Sequence, residues 1–190
     1  MTEIETRIDE LKQKIAQQPL AADRYYNEIG EIYGNQGDNG KAIAYFQKAL
    51  EQNPLSGIYY SNLALALSNI GAADEALLNY TKALAVQPNR MAYNNRACLY
   101  IDRGEFNKAI ADCTAALKIK ATTQEICSSA TILATRADAY MQLGDYRNAL
   151  NDLNAGISVC NPADSLIGFF DASILKCNMR LGIKPCQQKK

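Results

Sequence analysis

The chain has 190 residues, 48% of them hydrophobic, enough to bury a continuous core. Its 20 Lys and Arg balance its 20 Asp and Glu, which argues against a nucleic-acid backbone as partner, because that needs a basic face. With no histidine, acid–base catalysis would rest on scattered carboxylates, lysines or tyrosines, and a zinc site on cysteine and carboxylate ligands alone, so no enzyme activity, metal or cofactor is expected.

The first residues, Met1-Thr2-Glu3-Ile4-Glu5-Thr6-Arg7, are charged rather than signal-like, and no apolar run approaches membrane-spanning length, so a cytoplasmic location is expected. Residues 2–18 read as an amphipathic helix. Ile4, Ile8, Leu11 and Ile15 make one stripe, with Glu3, Glu5, Asp9, Glu10, Lys12 and Lys14 largely on the other faces. Pro19 ends it. Residues 1–22 are thus expected to act as an N-terminal capping helix.

From Asp23 onward one pattern recurs at close to 34 residues, dividing the chain into segments 23–56, 57–89, 90–123 and 124–163. Gly30, Ala64, Ala97 and Ala137 supply a small residue in the first helix of each segment, and Gly37, Gly71, Gly104 and Gly144 a turn glycine suited to a left-handed C-cap. Ala42, Ala76, Ala109 and Ala149 come next, then Phe46, Tyr80, Cys113 and Leu153, then Ala49, Ala83, Ala116 and Gly156. Small residues recur where two helices cross closely. Large ones fill the space beside them: Tyr26, Tyr60, Tyr93 and Leu133 come four residues before the small one, and Tyr33, Leu67, Tyr100 and Tyr140 three after it. The pattern is that of stacked helical hairpins that hold another protein.

A stack of hairpins bares an apolar face at each end. Residues 164–182, with Leu166, Ile167, Phe169, Phe170, Ile174, Leu175 and Leu181, are expected to form the second capping helix, and Phe169-Phe170 is read as cap packing rather than as a docking patch. Residues 183–190 are expected to be a flexible tail. Six cysteines, at 98, 113, 127, 160, 177 and 186, lack CxxC spacing and read as small apolar core side chains.

The run Tyr26-(x)2-Ile29-Gly30-(x)2-Tyr33 … Ala42-(x)3-Phe46-(x)2-Ala49-(x)4-Pro54 resembles the tetratricopeptide repeat, and the resemblance extends over residues 23–163. It implies an all-α fold, a right-handed α-solenoid (superhelix) of four helix-turn-helix hairpins with a capping helix at each end. It also implies an adaptor or scaffold for protein–protein interaction. Two departures stand out. Tyr or Leu occupies the place where the family favours Trp, and the excess in the fourth copy falls in residues 121–129, read as extra helical turns or a short loop.

In that fold the first helix of each hairpin lines the concave surface. Phase places Arg24, Asn27, Glu28 and Glu31 there in the first copy, and Ile58, Ser61, Asn62, Leu65 and Asn69 in the second. The third offers Met91, Asn94, Asn95, Cys98 and Asp102; the fourth offers Thr131, Ala134, Thr135, Asp138 and Gln142. From these, Asn27, Glu31, Asn62, Leu65, Asn69, Asn95, Cys98, Asp102 and Asp138 are the candidate peptide-binding residues. Asn62 and Asn95 are in phase, and a carboxamide can both donate to and accept from an extended backbone.

The resemblance raises a sharper possibility, the carboxylate clamp by which some co-chaperones hold acidic tails with Lys, Arg and Asn. The equivalent positions here are Asn27, Glu31, Asn62, Met91 and Asn95, of which only Asn62 matches; one repeat further on they are Ser61, Leu65, Asn95, Thr131 and Thr135, again with one match, and Glu31, Asp102 and Asp138 would repel such a tail. A clamp is therefore not expected. Arg96 and Arg136 are read as stems packed at the groove edge with solvated guanidinium groups, and Asp145 and Asp152 as surface charges. The expected partner is another protein, presented as a peptide or a helix. Nucleic acid and membrane insertion are not expected, although a helical-repeat groove can read single strands. The alternative is self-association through a cap helix or the convex face.

Overall fold

The computed structural model describes residues 2–120, 128–160 and 166–183. These residues form ten α-helices, one 3-10 turn and no strand. The helices are α1 (Glu3–Gln17), α2 (Ala22–Asn35), α3 (Asn39–Gln52), α4 (Gly57–Asn69), α5 (Ala73–Val86), α6 (Arg90–Asp102), α7 (Phe106–Lys118), α8 (Ser129–Gln142), α9 (Tyr146–Val159) and α10 (Leu166–Leu181), with the turn at Pro19–Ala21. Residues 121–127, where extra turns or a loop were expected, lie outside the described residues, as do 184–190 of the tail.

Helix starts and stops reflect local chemistry. Thr2 and Glu5 make a capping box on α1, the hydroxyl accepting from the Glu5 N–H and the carboxylate from the Thr2 N–H. Asp38, Ser56, Asn89, Ser128 and Asp145 cap α3, α4, α6, α8 and α9 with side-chain oxygens. At the hairpin turns Gly37, Gly71, Gly104 and Gly144 take φ of 79°, 79°, 72° and 78°, the left-handed region that a Cβ disfavours. After each comes an N–H reaching back into the preceding helix, for example Asp38 to the Tyr33 carbonyl at 2.9 Å and Glu105 to Tyr100 at 2.8 Å. Gly182 closes α10 in the same way, a stop that the repeat pattern does not mark.

The chain divides into two compact units, Met1–Pro88 and Asn89–Lys190. In the first, α1 packs on α2, α2 pairs with α3, α3 packs on α4, and α4 pairs with α5. The stripe of α1 meets α2: Ile8 and Leu11 are buried with Ile29, and Ile15, Tyr25 and Tyr45 pack around them. Phe46 fills the space between α3 and α4 with Leu63 and Ala66. Its ring also explains Gly30, where an added Cβ would lie 2.6 Å from Phe46 Cε1.

Polar groups join the two hairpins of this unit. The Tyr59 hydroxyl of α4 donates to Asp23 Oδ2 of α2 at 3.0 Å, and Asn53 Nδ2 donates to the same oxygen at 3.1 Å. Burial opposes the Asp23 charge, but these donors, with the Arg24 N–H, hold its carboxyl below the ordinary value. The Tyr59 hydroxyl is pushed up to about 12, first by burial and then by its bond to Asp23. A raised pKa means stability that is complete below the unfolded value near 10 and is lost as pH climbs through the folded one. Tyr59→Phe is therefore expected to cost about 1 kcal/mol at neutral pH, the worth of one hydrogen bond. It should also flatten part of the alkaline loss of stability. Urea midpoints at neutral pH and near pH 11 measure both, and parallel loss in wild type and variant would count against this link.

In the second unit, α6 pairs with α7, α7 packs on α8, α8 pairs with α9, and α10 covers α9 while also touching α8. Ala97, Ala109, Cys113, Ala116, Ile132 and Ala139 form one core cluster, and Leu153, Phe170 and Cys177 with their neighbours another. The structure corrects the reading of the two arginines. Arg96 is not solvated at its head: its Nε and Nη2 donate to both oxygens of Asp112 at 2.8 Å. Arg136 does the same to Asp152 at 2.7 Å and adds a bond to Thr114 Oγ1 of α7 at 3.0 Å. Asp152 is accordingly a buried partner, not a surface charge. In the first unit the equivalent slots hold Ile29 with Tyr45 and Leu63 with Asn79, so one hairpin position is filled without ions there and by bidentate ion pairs here.

Candidate functional site

The first helices of the hairpins carry most of the predicted binding residues, and each unit arranges its own. In the first unit Asn27, Glu31 and Asn62 meet. Asn27 Nδ2 donates to Glu31 Oε1 at 2.9 Å, and Asn62 Nδ2 donates to Asn27 Oδ1 at 2.9 Å and to Glu31 Oε1 at 3.0 Å. The orientation of the Asn62 amide is fixed by this, since flipping it would set its oxygen against a carboxylate. Its two N–H groups are spent inside the protein, so it offers a ligand only an acceptor. Asn27 is itself buried, with 9% of its surface exposed, and Ser61 beside Asn62 is buried rather than outward-facing. Asn69 turns to the start of α3, donating to Asn39 Oδ1 at 3.2 Å, whereas Leu65 stays exposed.

In the second unit Cys98 and Asp102 of α6 and Asp138 of α8 come together around one open cavity of about 320 Å³. Thr131, Ala134 and Thr135 of α8 and Ile101 of α6 complete two walls, and Leu166 and Phe169 of α10 form the third. Asn95 is half-buried on α6 outside this lining, and Asn94, expected to face outward, is buried. The Cys98 thiol opens to solvent at one side, yet the protein packed around it raises its pKa. A hydrogen bond with Thr135 opposes this, and the charges of Asp102 and Asp138 reinforce it.

Ile101, Leu166 and Phe169 are the lining residues that sequence reasoning missed. The adjacent aromatics divide the two readings offered for them. Phe170 is fully buried over α9, and Phe169, edge-on to it with ring centroids 5.8 Å apart, keeps 39% of its surface exposed in the cavity. The sequence does not say which of the two rings sinks: neighbours on a helix point about 100° apart, a width that one apolar stripe can still span. Among the described residues, no group of three or more Cys, Asp or Glu is placed to hold a metal ion, and no helix is long and apolar enough to cross a membrane.

Comparison with known proteins agrees with the hairpin pattern. Models described as "Tetratricopeptide repeat" match residues 21–89 and, separately, 92–123 and 130–161. Protein FlbA of Caulobacter vibrioides is 31% identical over 105 residues, covering 55% of this chain and 17% of that protein. The peroxisomal targeting signal receptor of Kluyveromyces lactis is 27% identical over 137 residues, covering 69% of this chain and 24% of that one. The chain thus spans less than a quarter of either relative. Among solved structures, a tetratricopeptide repeat protein from Parabacteroides merdae superposes with a TM-score of 0.73 at 19% identity, covering 95% of this chain and 68% of that chain, a likeness of fold.

Proposed function

We propose, on the ground that this chain belongs to the tetratricopeptide repeat family, that it is a non-catalytic adaptor that captures a peptide or helix of another protein on the first helices of its hairpins. The observation that carries the reading is the convergence of Cys98, Asp102 and Asp138 from two first helices on one open cavity. Concave, largely apolar sites with a few polar groups are where ligands are held. The Kluyveromyces lactis relative is a peroxisomal targeting signal receptor, and recognition of a signal is in keeping with this reading. A carboxylate clamp is no part of this reading: Asn62, which matches that pattern, has both amide hydrogens committed to Asn27 and Glu31. Cys98, Cys113 and Cys177 are free thiols, which suits a reducing compartment, and we place the activity in the cytoplasm.

Selection of a random-peptide display library on the full chain, then mapping of a selected peptide through amide chemical shifts, tests the reading. Shifts are expected on α6, α8 and the facing side of α10. Shifts confined to the outer helices α7 and α9, or a library that yields no binder, would reject it.

A second reading has one observation of its own. Leu175 and Met179, 51% and 73% exposed, lie with Lys176 and Arg180 along the outer face of α10, as self-association through the cap would require. Light scattering across a dilution series separates the two: a monomer supports the adaptor, and a dimer that persists and is lost in Met179→Lys supports assembly.

A further inference from the structure

The cavity between α6, α8 and α10 has a chemistry that narrows its occupant. Its apolar lining comes from Ile101, Ala134, Leu166 and Phe169, and Asp102 and Asp138 stand among these groups. Neither carboxylate has a cationic partner among the described residues; Asp138 accepts only a long bond of 3.4 Å from Gln142. The arginines of the same two helices do not supply one: Arg90, at the start of α6, donates to the Ile119 carbonyl and the Ser129 hydroxyl, and Arg96 and Arg136 are held by Asp112 and Asp152 on the hairpin side. The charged side chains that line the cavity itself are therefore both carboxylates, one from each of these helices. Both carboxylates help to raise the pKa of the Cys98 thiol on the same lining, so both are within electrostatic reach of one wall of the cavity.

A carboxylate pair beside an apolar hollow repels acidic segments and attracts a cation whose stem is itself apolar. Phe169 adds a partly exposed aromatic ring, which favours a large apolar side chain or a cation against it. The volume, about 320 Å³, is at the small end of ligand sites and suits one anchoring side chain with its neighbour rather than a whole helix.

Resting on the adaptor reading above, we infer that this cavity takes a basic peptide segment, with a large apolar side chain seated between Phe169, Leu166 and Ile101 and an adjacent lysine or arginine set against Asp102 and Asp138. The apolar anchor supplies the contact area. The two carboxylates choose the partner by the sign of its charge and quicken its arrival, an effect that salt weakens.

The display selection is repeated on three full-length chains: wild type, the double variant Asp102→Asn with Asp138→Asn, and Phe169→Ala. All three substituted side chains reach the surface, so melting by circular dichroism is expected to stay near wild type. On wild type, selected peptides are expected to pair Phe, Leu, Met or Tyr with a nearby Lys or Arg. A synthetic copy of the leading peptide should bind each variant about tenfold more weakly, and its Lys→Glu or Arg→Glu form should not bind wild type. Selected peptides without a basic preference, or a basic peptide that binds the double variant as well as wild type, overturn this inference and leave the adaptor reading standing. Absence of any selected peptide on all three chains overturns both.

Discussion

Asp152→Ala is expected to lower the stability of the second unit by about 3 to 5 kcal/mol, the cost of leaving a buried charge without its partner. Asp152 accepts two bonds from Arg136 at 2.7 Å, and the two side chains retain 9% and 19% of their surface. Without the carboxylate, the guanidinium keeps only the Thr114 hydroxyl at 3.0 Å, with 19% of the side chain open to water. The origin of the loss can be checked by removing both charges. The first hairpin fills the same slots with Ile29 and Tyr45, so Arg136→Ile with Asp152→Tyr should recover most of the stability, because replacing a buried ion pair by apolar side chains is often neutral. Urea denaturation of the two variants beside wild type decides it. An Asp152→Ala chain within about 0.5 kcal/mol of wild type, the range of ordinary surface changes, would show that the pair contributes little.

Gly156→Ala is the second large effect, and its sign is the informative part. In a helix interior alanine is better than glycine by about 1 kcal/mol, so the substitution should stabilise α9. Tertiary packing reverses this, since a Cβ at 156 would lie 2.4 Å from two carbons of the Phe170 ring. That ring is fully buried in one core cluster with Leu153 and Cys177, so moving it disturbs packed neighbours. Displacing it costs about 1 to 3 kcal/mol and lifts the start of α10, carrying Phe169 away from the cavity. The variant should thus lose both stability and peptide affinity. Gly168→Ala, also in a helix but with nothing within 4 Å of its added Cβ, should instead gain up to about 1 kcal/mol. Combining Gly156→Ala with Phe170→Leu should relieve the clash in part. Thermal melts of the three variants suffice, and equal gains at 156 and 168 would mean that α10 does not press on α9 at this point.

The two substitutions mark the boundary of what the chain discloses when read alone. Hairpins, turn glycines and terminal stripes were legible because each depends on residues close in sequence: a 3.6-residue period needs only one helix, and a positive φ only one glycine. The placing of Cys98, Asp102 and Asp138 on first helices came from the same phase. The Arg96–Asp112 and Arg136–Asp152 pairs left a trace, an identical spacing of 16 residues at equivalent positions, but a spacing does not say which of two side chains leaves the solvent.

Sequence by itself determined that this protein is a series of α-helical hairpins. Tertiary structure alone decided that Asn62 has no free amide hydrogen, that Phe170 sinks while Phe169 stays in view, and that the cap helix becomes a wall of the cavity beside Asp102 and Asp138. The reason is physical: periodicity and backbone conformation are local preferences, whereas a shared hydrogen bond, a close ring contact or a cavity exists only after helices distant in the chain have packed together.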